Sequence, residues 1–240
     1  MNNENKNSSN KYTKIVEIKS ISGGSKYTAK NVGSLREAVE QAARAGVSLH
    51  GANLQGANLQ GANLQGANLP HADLRGAKLS DANIVSADLH SANLRDAKLS
   101  NANLRDAKLS YANIVSADLG GANLYYADLA GAELSDANIV SADLSGANLY
   151  YADLRSADLR HACLYSARLH YADLSHADLS HATLDNANLH NADLRNADLA
   201  GASIDAAMLR GADLRLAIMD GINVGAAQLK GAIISDEFSL

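Results

Sequence analysis

The sequence predicts an all-β solenoid, a rod made of many short stacked coils, and three observations predict it. First, every fifth residue from Leu49 to Ile234 is apolar, which gives 38 positions without an insertion or deletion. Second, Ala stands two residues before 36 of these 38 positions. Third, the 240 residues include no Trp, one Phe and one Pro, so the core must be built mostly from Leu and Ala. Neither the period of an α-helix nor that of a plain β-strand gives this pattern.

A five-residue period requires a chain that turns a corner every five residues and buries one small and one large side chain on each side. Four sides close a coil, so residues 20 apart in the sequence form a column along the rod. The repeats at 47–236 then give about 9.5 coils and, at the ~4.8 Å spacing of paired strands, a rod roughly 45 Å long. We expect the register Ala and Leu side chains to form its core.

The residues before the repeats predict a tail and a small cap. Residues 1–11 are polar and of low complexity, which favours a disordered tail. Residues 12–46 contain two strand patterns around the turn signal Gly23-Gly24, and a helical pattern follows. At the other end, residues 237–240 form a short C-terminal tail.

The helical pattern has both of its boundaries marked. Ser34 and Glu37 form a capping box at its start, and Gly46 is a stop signal. Solenoids need caps over their open ends. We therefore expect this helix to bury Leu35 and Val39 over the first coil.

The repeated unit, Ala-Asn/Asp-Leu-x-x as in Ala52-Asn53-Leu54-Gln55, resembles the repeat of the pentapeptide-repeat family. The resemblance covers about four-fifths of the chain. It implies the family's right-handed quadrilateral β-helix, with Leu and Ala pointing inward. The hairpin and helix before the repeats also resemble the leader of phage and bacterial members.

Charge is distributed unevenly along the predicted rod. Residues 1–46 carry a net charge of +4, residues 75–108 carry +2, and residues 113–214 carry -9. Most of the acidic residues stand directly before a central Leu and so point outward. Two columns result, on neighbouring faces: Asp153, Asp173 and Asp193, continued by Asp213, and Asp158, Asp178 and Asp198.

The acidic columns have two interpretations. Some pentapeptide-repeat proteins resemble duplex DNA in size and charge and bind type II topoisomerases, and residues 113–214 carry 14 carboxylates, although five Arg residues are interleaved. Alternatively, an Asp at this position bonds to the backbone of its own turn. A DNA mimic that binds gyrase is therefore the alternative to a protein-interaction scaffold of unspecified role.

Tyrosines supply a candidate partner-binding surface. Tyr151 and Tyr171 fall in one column, and Tyr150 precedes the first of them. Exposed aromatic side chains are favoured at protein interfaces. We therefore assign Tyr150, Tyr151 and Tyr171, with the two Asp columns, to the binding of an unidentified protein partner.

Histidines pair on adjacent coils, as His161 with His181 and as His170 with His190. Stacked imidazoles are candidate metal ligands, but no set of His, Cys and carboxylate residues at a fixed spacing accompanies them. We expect a solvated polar column, with no metal and no cofactor.

The last repeats place apolar residues where earlier repeats have polar residues or Ala. An uncovered coil end with apolar edges tends to associate with another chain. It predicts a homodimer formed end to end through the C-terminal coil. The candidate residues are Leu216, Ile218, Ile222, Ile233 and Phe238.

Catalytic motifs are missing from the sequence. It has no Gly-x-Ser-x-Gly motif, no phosphate-binding loop and no dinucleotide-binding fingerprint after a strand, so we predict a non-enzymatic protein. One cysteine, Cys163, no secretory signal and no apolar run long enough for a membrane favour the cytoplasm. We do not expect direct binding to nucleic acid.

Overall fold

The computed structural model describes residues 14–222 and 231–234. The predicted tails at 1–11 and 237–240, and Phe238 of the predicted dimer end, lie outside the described residues. The regular elements are β1 (Ile15–Lys19), β2 (Ser25–Lys30) and α1 (Leu35–Arg44), and the stacked repeats follow them.

The repeats stack in register, each coil on the next one along the chain. Residues before a central Leu or Ile form parallel bridges with their equivalents in the following coil along the described rod, from Ser48 with Asn68 to Asp213 with Ile233. Between these bridges, the N–H groups of central residues donate to the coil that follows, as Leu54 does to the carbonyl of Asp73 at 2.8 Å. Four five-residue sides therefore make one coil, as the period predicts.

The interior of the rod repeats one packing arrangement. The central Leu and Ile residues and the register Ala residues from Leu49 to Ala217 are buried, with at most 6% of any of them exposed. Ala leaves room for the Leu side chains of the same coil, and these stack on equivalent side chains above and below. Removing one buried Leu side chain from such a core costs about 2–5 kcal/mol.

Each corner consists of two residues, and the second has a positive φ angle at every corner of the described coils, from Gly51 (63°) to Leu216 (62°). An L-residue in this left-handed conformation costs roughly 1–2 kcal/mol, whereas Gly adopts it freely. The early corners use Gly, and most later corners use Ser, Asp, Asn, His or Tyr.

The hairpin and the helix lie where the turn and capping signals place them. Ser34 caps α1 by accepting a hydrogen bond from the Glu37 N–H at 3.2 Å. The Glu37 carboxylate reaches back one residue further than in the usual capping box and accepts from the Gly33 N–H at 2.7 Å. Val39 is fully buried, and Leu35 is partly buried against the core.

The cap also supplies hydrogen-bond partners to the open edge of the first coil. The Asn53 N–H donates to the carbonyl of Lys19 at 2.8 Å. From α1, the Glu40 carboxylate accepts from the Asn63 N–H, and the Arg36 guanidinium donates to the carbonyl of Gly61, both at 2.9 Å. The cap therefore satisfies backbone groups that a free strand edge would leave open.

The described part of the chain contains a single helix, α1, and its 10 residues are too few to cross a bilayer.

Candidate functional site

Aromatic rings line one of the four corners of the rod. Near the cap, the ring centroids of His50 and His71 are 4.9 Å apart, those of His71 and His90 are 5.8 Å apart, and those of His90 and Tyr111 are 5.7 Å apart. We call this the aromatic corner. Its members are His50, His71, His90, Tyr111, Tyr150, Tyr151, His170 and Tyr171.

The predicted tyrosine trio lies at the middle of this corner. The rings of Tyr151 and Tyr171 stack at 5.0 Å with 9° between their planes, and the ring of Tyr150 contacts that of Tyr151 edge-on at 4.3 Å. Tyr151 and Tyr171 are 56% and 45% exposed. The structure therefore brings together the three tyrosines that the sequence predicts as partner-binding residues, and two of them are accessible to solvent.

Corner side chains lean along the rod onto the following coil. The Tyr111 ring lies over Gly131, where an added Cβ would be 2.7 Å from the Cε1 atom of Tyr111. The His181 ring occupies the equivalent place over Gly201. Glycine at the following coil thus makes room for the ring, an arrangement that the five-residue register does not predict.

His170 is held in a low-polarity setting beside the tyrosines. Its ring is 4.4 Å from that of Tyr150. Its Nδ1 atom is buried and has no hydrogen-bond partner among the described residues. Burial, and then the nearby charges of Arg168 and His190, lower the pKa of His170.

The two predicted histidine pairs differ. His161 and His181 stack at 5.2 Å with 7° between the ring planes. His190 instead directs its Nδ1 atom to Asn188 Oδ1 at 2.8 Å. Within residues 14–222 and 231–234, no group of three His, Cys, Asp or Glu residues is arranged to hold a metal ion.

In the acidic columns, Asp carboxylates accept hydrogen bonds from the backbone of their own turns. Asp153 Oδ1 accepts a hydrogen bond from the N–H of Arg155 at 3.1 Å, two residues further along. Asp158 does the same with Arg160 at 3.2 Å. The Asp before a central Leu therefore stabilises its own corner, as an Asx turn does.

Arg side chains pair with many of these carboxylates. Arg155 binds Asp153 through two hydrogen bonds, of 2.8 Å from Nε and 2.7 Å from Nη2. Its Nε atom is also 3.8 Å from Asp173 on the next coil. The equivalent two-point pairs are Asp73 with Arg75, Asp158 with Arg160, Asp193 with Arg195, and Asp213 with Arg215.

These pairs change the electrostatics of the columns. The guanidinium groups lower the pKa of the carboxyls of Asp153, Asp158 and Asp193, so these stay ionised and are locally neutralised. The repeated tripeptide Asp-Leu-Arg is the sequence signal for the pairing. The five-residue register alone does not assign these Arg residues to particular carboxylates.

The C-terminal end exposes apolar side chains. Leu216 is 69% exposed, Ile218 48% and Ile233 47%. Ile222 differs because it packs partly against the core. Of the four candidates for the dimer end within the described residues, three are therefore exposed.

Comparisons with known proteins agree with this fold. The family model for pentapeptide repeats matches in eight copies. The matched residues are 48–84, 87–125, 127–164, 162–201, 184–221 and 197–236. No curated protein matches the chain significantly.

Solved structures of pentapeptide repeat proteins are similar to the chain. HetL from the cyanobacterium Nostoc, which is involved in heterocyst differentiation regulation, is 35% identical, with 83% of this chain and 97% of HetL covered and a TM-score of 0.40. A thylakoid-lumen protein of Arabidopsis thaliana is 30% identical over 42% of this chain and 70% of its own, with a TM-score of 0.35. QnrB1, a plasmid-mediated fluoroquinolone resistance protein, is 15% identical over 79% of this chain and 92% of its own, also with a TM-score of 0.35. Since the family model covers most of the chain, the protein belongs to the pentapeptide-repeat family, whose fold is the right-handed quadrilateral β-helix.

Proposed function

We propose that the chain is a non-enzymatic scaffold that presents the aromatic corner to a protein partner. The observation that carries this proposal is the exposed stack of Tyr151 and Tyr171, backed by Tyr150. Tyr offers a large contact area at a low cost in side-chain entropy, and it is enriched where binding energy concentrates. A hydrogen-bonded solenoid holds these rings in place before a partner arrives, which lowers the cost of binding.

The backbone conformation of the tyrosines supports the proposal. Tyr151 and Tyr171 have φ angles of 56° and 62°, and Gly51 holds the equivalent position in the first coil. Gly would relieve strain of roughly 1–2 kcal/mol at each position. Strained residues that a fold does not need are a reason to infer function.

The neighbouring face supplies a polar rim. Asp153, Asp173 and Asp193 lie along the face that borders the aromatic corner. Arg155 bridges Asp153 and Asp173, and Arg195 bridges Asp193 and Asp213. Interfaces commonly surround an aromatic centre with polar and charged groups of this kind. We assign this column to the rim of the binding surface.

A binding comparison tests the proposal. We expect wild-type protein and the control Tyr126→Ala/Tyr165→Ala to capture the same proteins from extracts of the source organism, and Tyr151→Ala/Tyr171→Ala to lose them. Tyr126 and Tyr165 are 58% and 49% exposed and lie on a different corner, so they match the test pair in size and exposure. Equal capture by all three proteins, measured by quantitative mass spectrometry, would contradict the proposal.

The alternative is a DNA mimic that binds a type II topoisomerase. The 14 carboxylates of residues 113–214 favour it. The ion pairs of Asp153, Asp158 and Asp193 disfavour it, because duplex DNA carries no cations bonded to its phosphates at fixed positions. Inhibition or protection of gyrase at micromolar protein, in a supercoiling assay, would move this alternative to first place.

Two further proposals concern assembly and location. The exposed Leu216, Ile218 and Ile233, with Ile222 and Phe238, support an end-to-end homodimer. Light scattering at about 0.5 M salt, which screens contacts between exposed charges, should then give a dimer mass for the wild type and a monomer mass for Ile233→Asp, and equal masses would contradict this assembly. The single Cys163 fits a reducing compartment, so we place the protein in the cytoplasm.

A further inference from the structure

One flat side of the rod carries opposite charges at its two ends. It is the column of residues before the central Leu that lies between the corner at Arg155 and the corner at Arg160. We call it the bipolar face. In order along the rod it presents Asn58, Lys78, Lys98, Asp118, Asn138, Asp158, Asp178, Asp198 and Ile218.

The charges at the two ends of this face repel their neighbours. Lys78 and Lys98 are bridged partners on adjacent coils, and so are Asp178 and Asp198. Both lysines are exposed, and neither they nor Asp198 form an ion pair within residues 14–222 and 231–234. Asp178 lies 3.7 Å from the Nε atom of Arg160, whose two hydrogen bonds go to Asp158. Like charges directly opposite one another in a sheet are destabilising, so each end of the face favours a partner of the opposite charge.

The positions of these charges are symmetric about Asn138. Lys78 and Asp198 each lie three coils from Asn138, on opposite sides of it, and Lys98 and Asp178 each lie two coils from it. We infer that the bipolar face binds a second copy of this chain, antiparallel to the first, about a two-fold axis at Asn138. Lys78 then meets Asp198 of the second copy, and Lys98 meets Asp178.

The centre of the face fits the same arrangement. Asp118 would lie opposite Asp158 of the second copy, and Asp158 is already paired with Arg160 at 2.6 Å. Asp118 accepts hydrogen bonds from Ser100 Oγ at 2.6 Å and Asn138 Nδ2 at 2.9 Å, which offset its charge. Each of the two facing carboxylates therefore already has partners in its own chain, Arg160 for Asp158 and two hydrogen-bond donors for Asp118, which reduces their repulsion.

One of the two corners that border the face sets small residues opposite larger ones. Gly120 and Gly121 would lie opposite Arg160 and His161 of the second copy, because both pairs are displaced equally from the two-fold axis. The Asn101 side chain lies over Gly121 and occupies part of this space. On the other corner, Arg75 would lie opposite Arg195 of the second copy, and each of these arginines is already paired with an Asp of its own chain. The charges of the flat face therefore carry the inference.

The other three faces lack this pattern. The face through Asp153 is acidic in its second half and has no lysine in its column. The face through Asn148 mixes signs along its length, and the face through Asn123 is almost uncharged. Antiparallel copies would match one pair of opposite charges on the face through Asn148, Asp128 with Arg168, and two pairs on the bipolar face, Lys78 with Asp198 and Lys98 with Asp178.

The expected contact is small and governed by charge. Six coil spacings separate Lys78 from Asp198, which is about 29 Å along a face one strand wide. An interface of this size belongs to the weak, transient class, and exposed ion pairs are screened by salt. The aromatic corner borders neither edge of this face, so the proposed partner surface stays free.

A charge-reversal experiment tests the pairing. All proteins carry Ile233→Asp, which removes the proposed contact through the C-terminal end and lies outside the bipolar face, in the column of Asp213. We expect the Ile233→Asp protein to self-associate at about 0.05 M salt and to do so at least tenfold more weakly at about 0.5 M, by sedimentation equilibrium. In this background, Lys78→Glu/Lys98→Glu and Asp178→Lys/Asp198→Lys should each stay monomeric. Mixed one to one, they should form a heterodimer, which shows that both variants fold. Variants that self-associate as the Ile233→Asp protein does, or fail to pair when mixed, would overturn the inference.

A cysteine placed on the axis gives an independent test. In a Cys163→Ser background, Asn138→Cys should form an intermolecular disulfide under mild oxidation, because the two-fold axis brings position 138 against its own copy. Asn123→Cys, which replaces the same residue type at the same repeat position on the almost uncharged face, is the matched control. Equal cross-linking of the two variants would overturn the antiparallel arrangement.

Discussion

The first coils and the middle coils of the rod have the same interior and different corners. Between Gly51 and Leu69 the second corner residue is always Gly, and the outward residues are Asn and Gln. In the middle coils the same corner positions hold residues such as Tyr151, His161 and Tyr171, although the φ angles are equivalent. The interior does not explain the difference, because the Leu and Ala residues are equally buried in both regions.

The comparison shows which positions folding determines. Each L-residue with positive φ costs roughly 1–2 kcal/mol relative to Gly, and the stability of a solenoid is approximately a sum over its repeats. The first coils therefore have corners close to the lowest-energy choice. The middle coils accept strain in order to place rings and polar groups on the surface, which is why we assign binding to the middle coils.

The largest expected effect comes from removing a glycine that seats a ring. We expect Gly131→Ala to lower the free energy of unfolding by about 2 kcal/mol, because it adds left-handed strain and displaces the Tyr111 ring. Gly56→Ala, whose Cβ would meet nothing within 4 Å, should lower it by about 1 kcal/mol. Denaturant unfolding of both variants measures the difference.

A double variant separates strain from ring displacement. Tyr111→Ala/Gly131→Ala, measured against Tyr111→Ala, should show a loss close to that of Gly56→Ala, since no ring remains to be displaced. If Gly131→Ala costs no more than Gly56→Ala in the first place, the Tyr111 ring is not seated on Gly131 in solution.

The sequence predicts the interior of this protein better than its exterior. The five-residue register gives the buried side chains, the corners and the columns, because one repeating backbone fixes all three. The contact of His71 with His50 and His90 was missed, since these rings meet diagonally, between the second corner position of one coil and the first corner position of its neighbours, rather than within a column. Arg155 was likewise counted as a charge, because its rotamer depends on Asp153 and not on the period.

A smaller and opposite effect is expected when strain is removed from a middle coil. Ser116 has a φ angle of 55°. We expect Ser116→Gly to raise the free energy of unfolding by about 1 kcal/mol, and Gly76→Ser in an early coil to lower it by a similar amount. A Ser116→Gly protein less stable than the wild type would show that Ser116 makes a contact worth more than its strain.

Protonation of His170 should lower the stability of the fold in mild acid. Its pKa is lowered in the folded state by burial and by Arg168 and His190, so the unfolded chain binds a proton more readily. The associated stability is present above the ordinary histidine pKa of about 6.5 and is lost as the pH falls towards the lower folded value. Between pH 7.5 and 5 we expect the wild-type Tm to fall by about 2 °C more than that of His170→Gln. Parallel curves would show that His170 titrates normally.

The smallest expected effect comes from the Asp–Arg ion pairs of the middle coils. Their Arg residues occupy the first position of a corner, where the first coils have Gln. Arg155 and Arg160 stand where the first coils have Gln55 and Gln60. Asp153 and Asp158 have folded pKa values below normal because of these Arg partners, so the pairs stabilise the fold above the unfolded carboxyl pKa of about 3.9. That stability is lost as the pH falls through the folded values.

We therefore expect Arg155→Gln/Arg160→Gln to lower the free energy of unfolding by at most about 1 kcal/mol at pH 7, and not at all at about pH 2. The converse variant, Asn53→Asp/Gln55→Arg, should introduce the same small, acid-sensitive gain into the first coil. Gln55→Arg alone should be neutral, because Asn53 offers no carboxylate to pair with. A stabilising Gln55→Arg variant would show that the corner arginines act through packing rather than through their partners. The exterior would then contribute to folding after all, which would weaken the case for assigning the middle coils to binding.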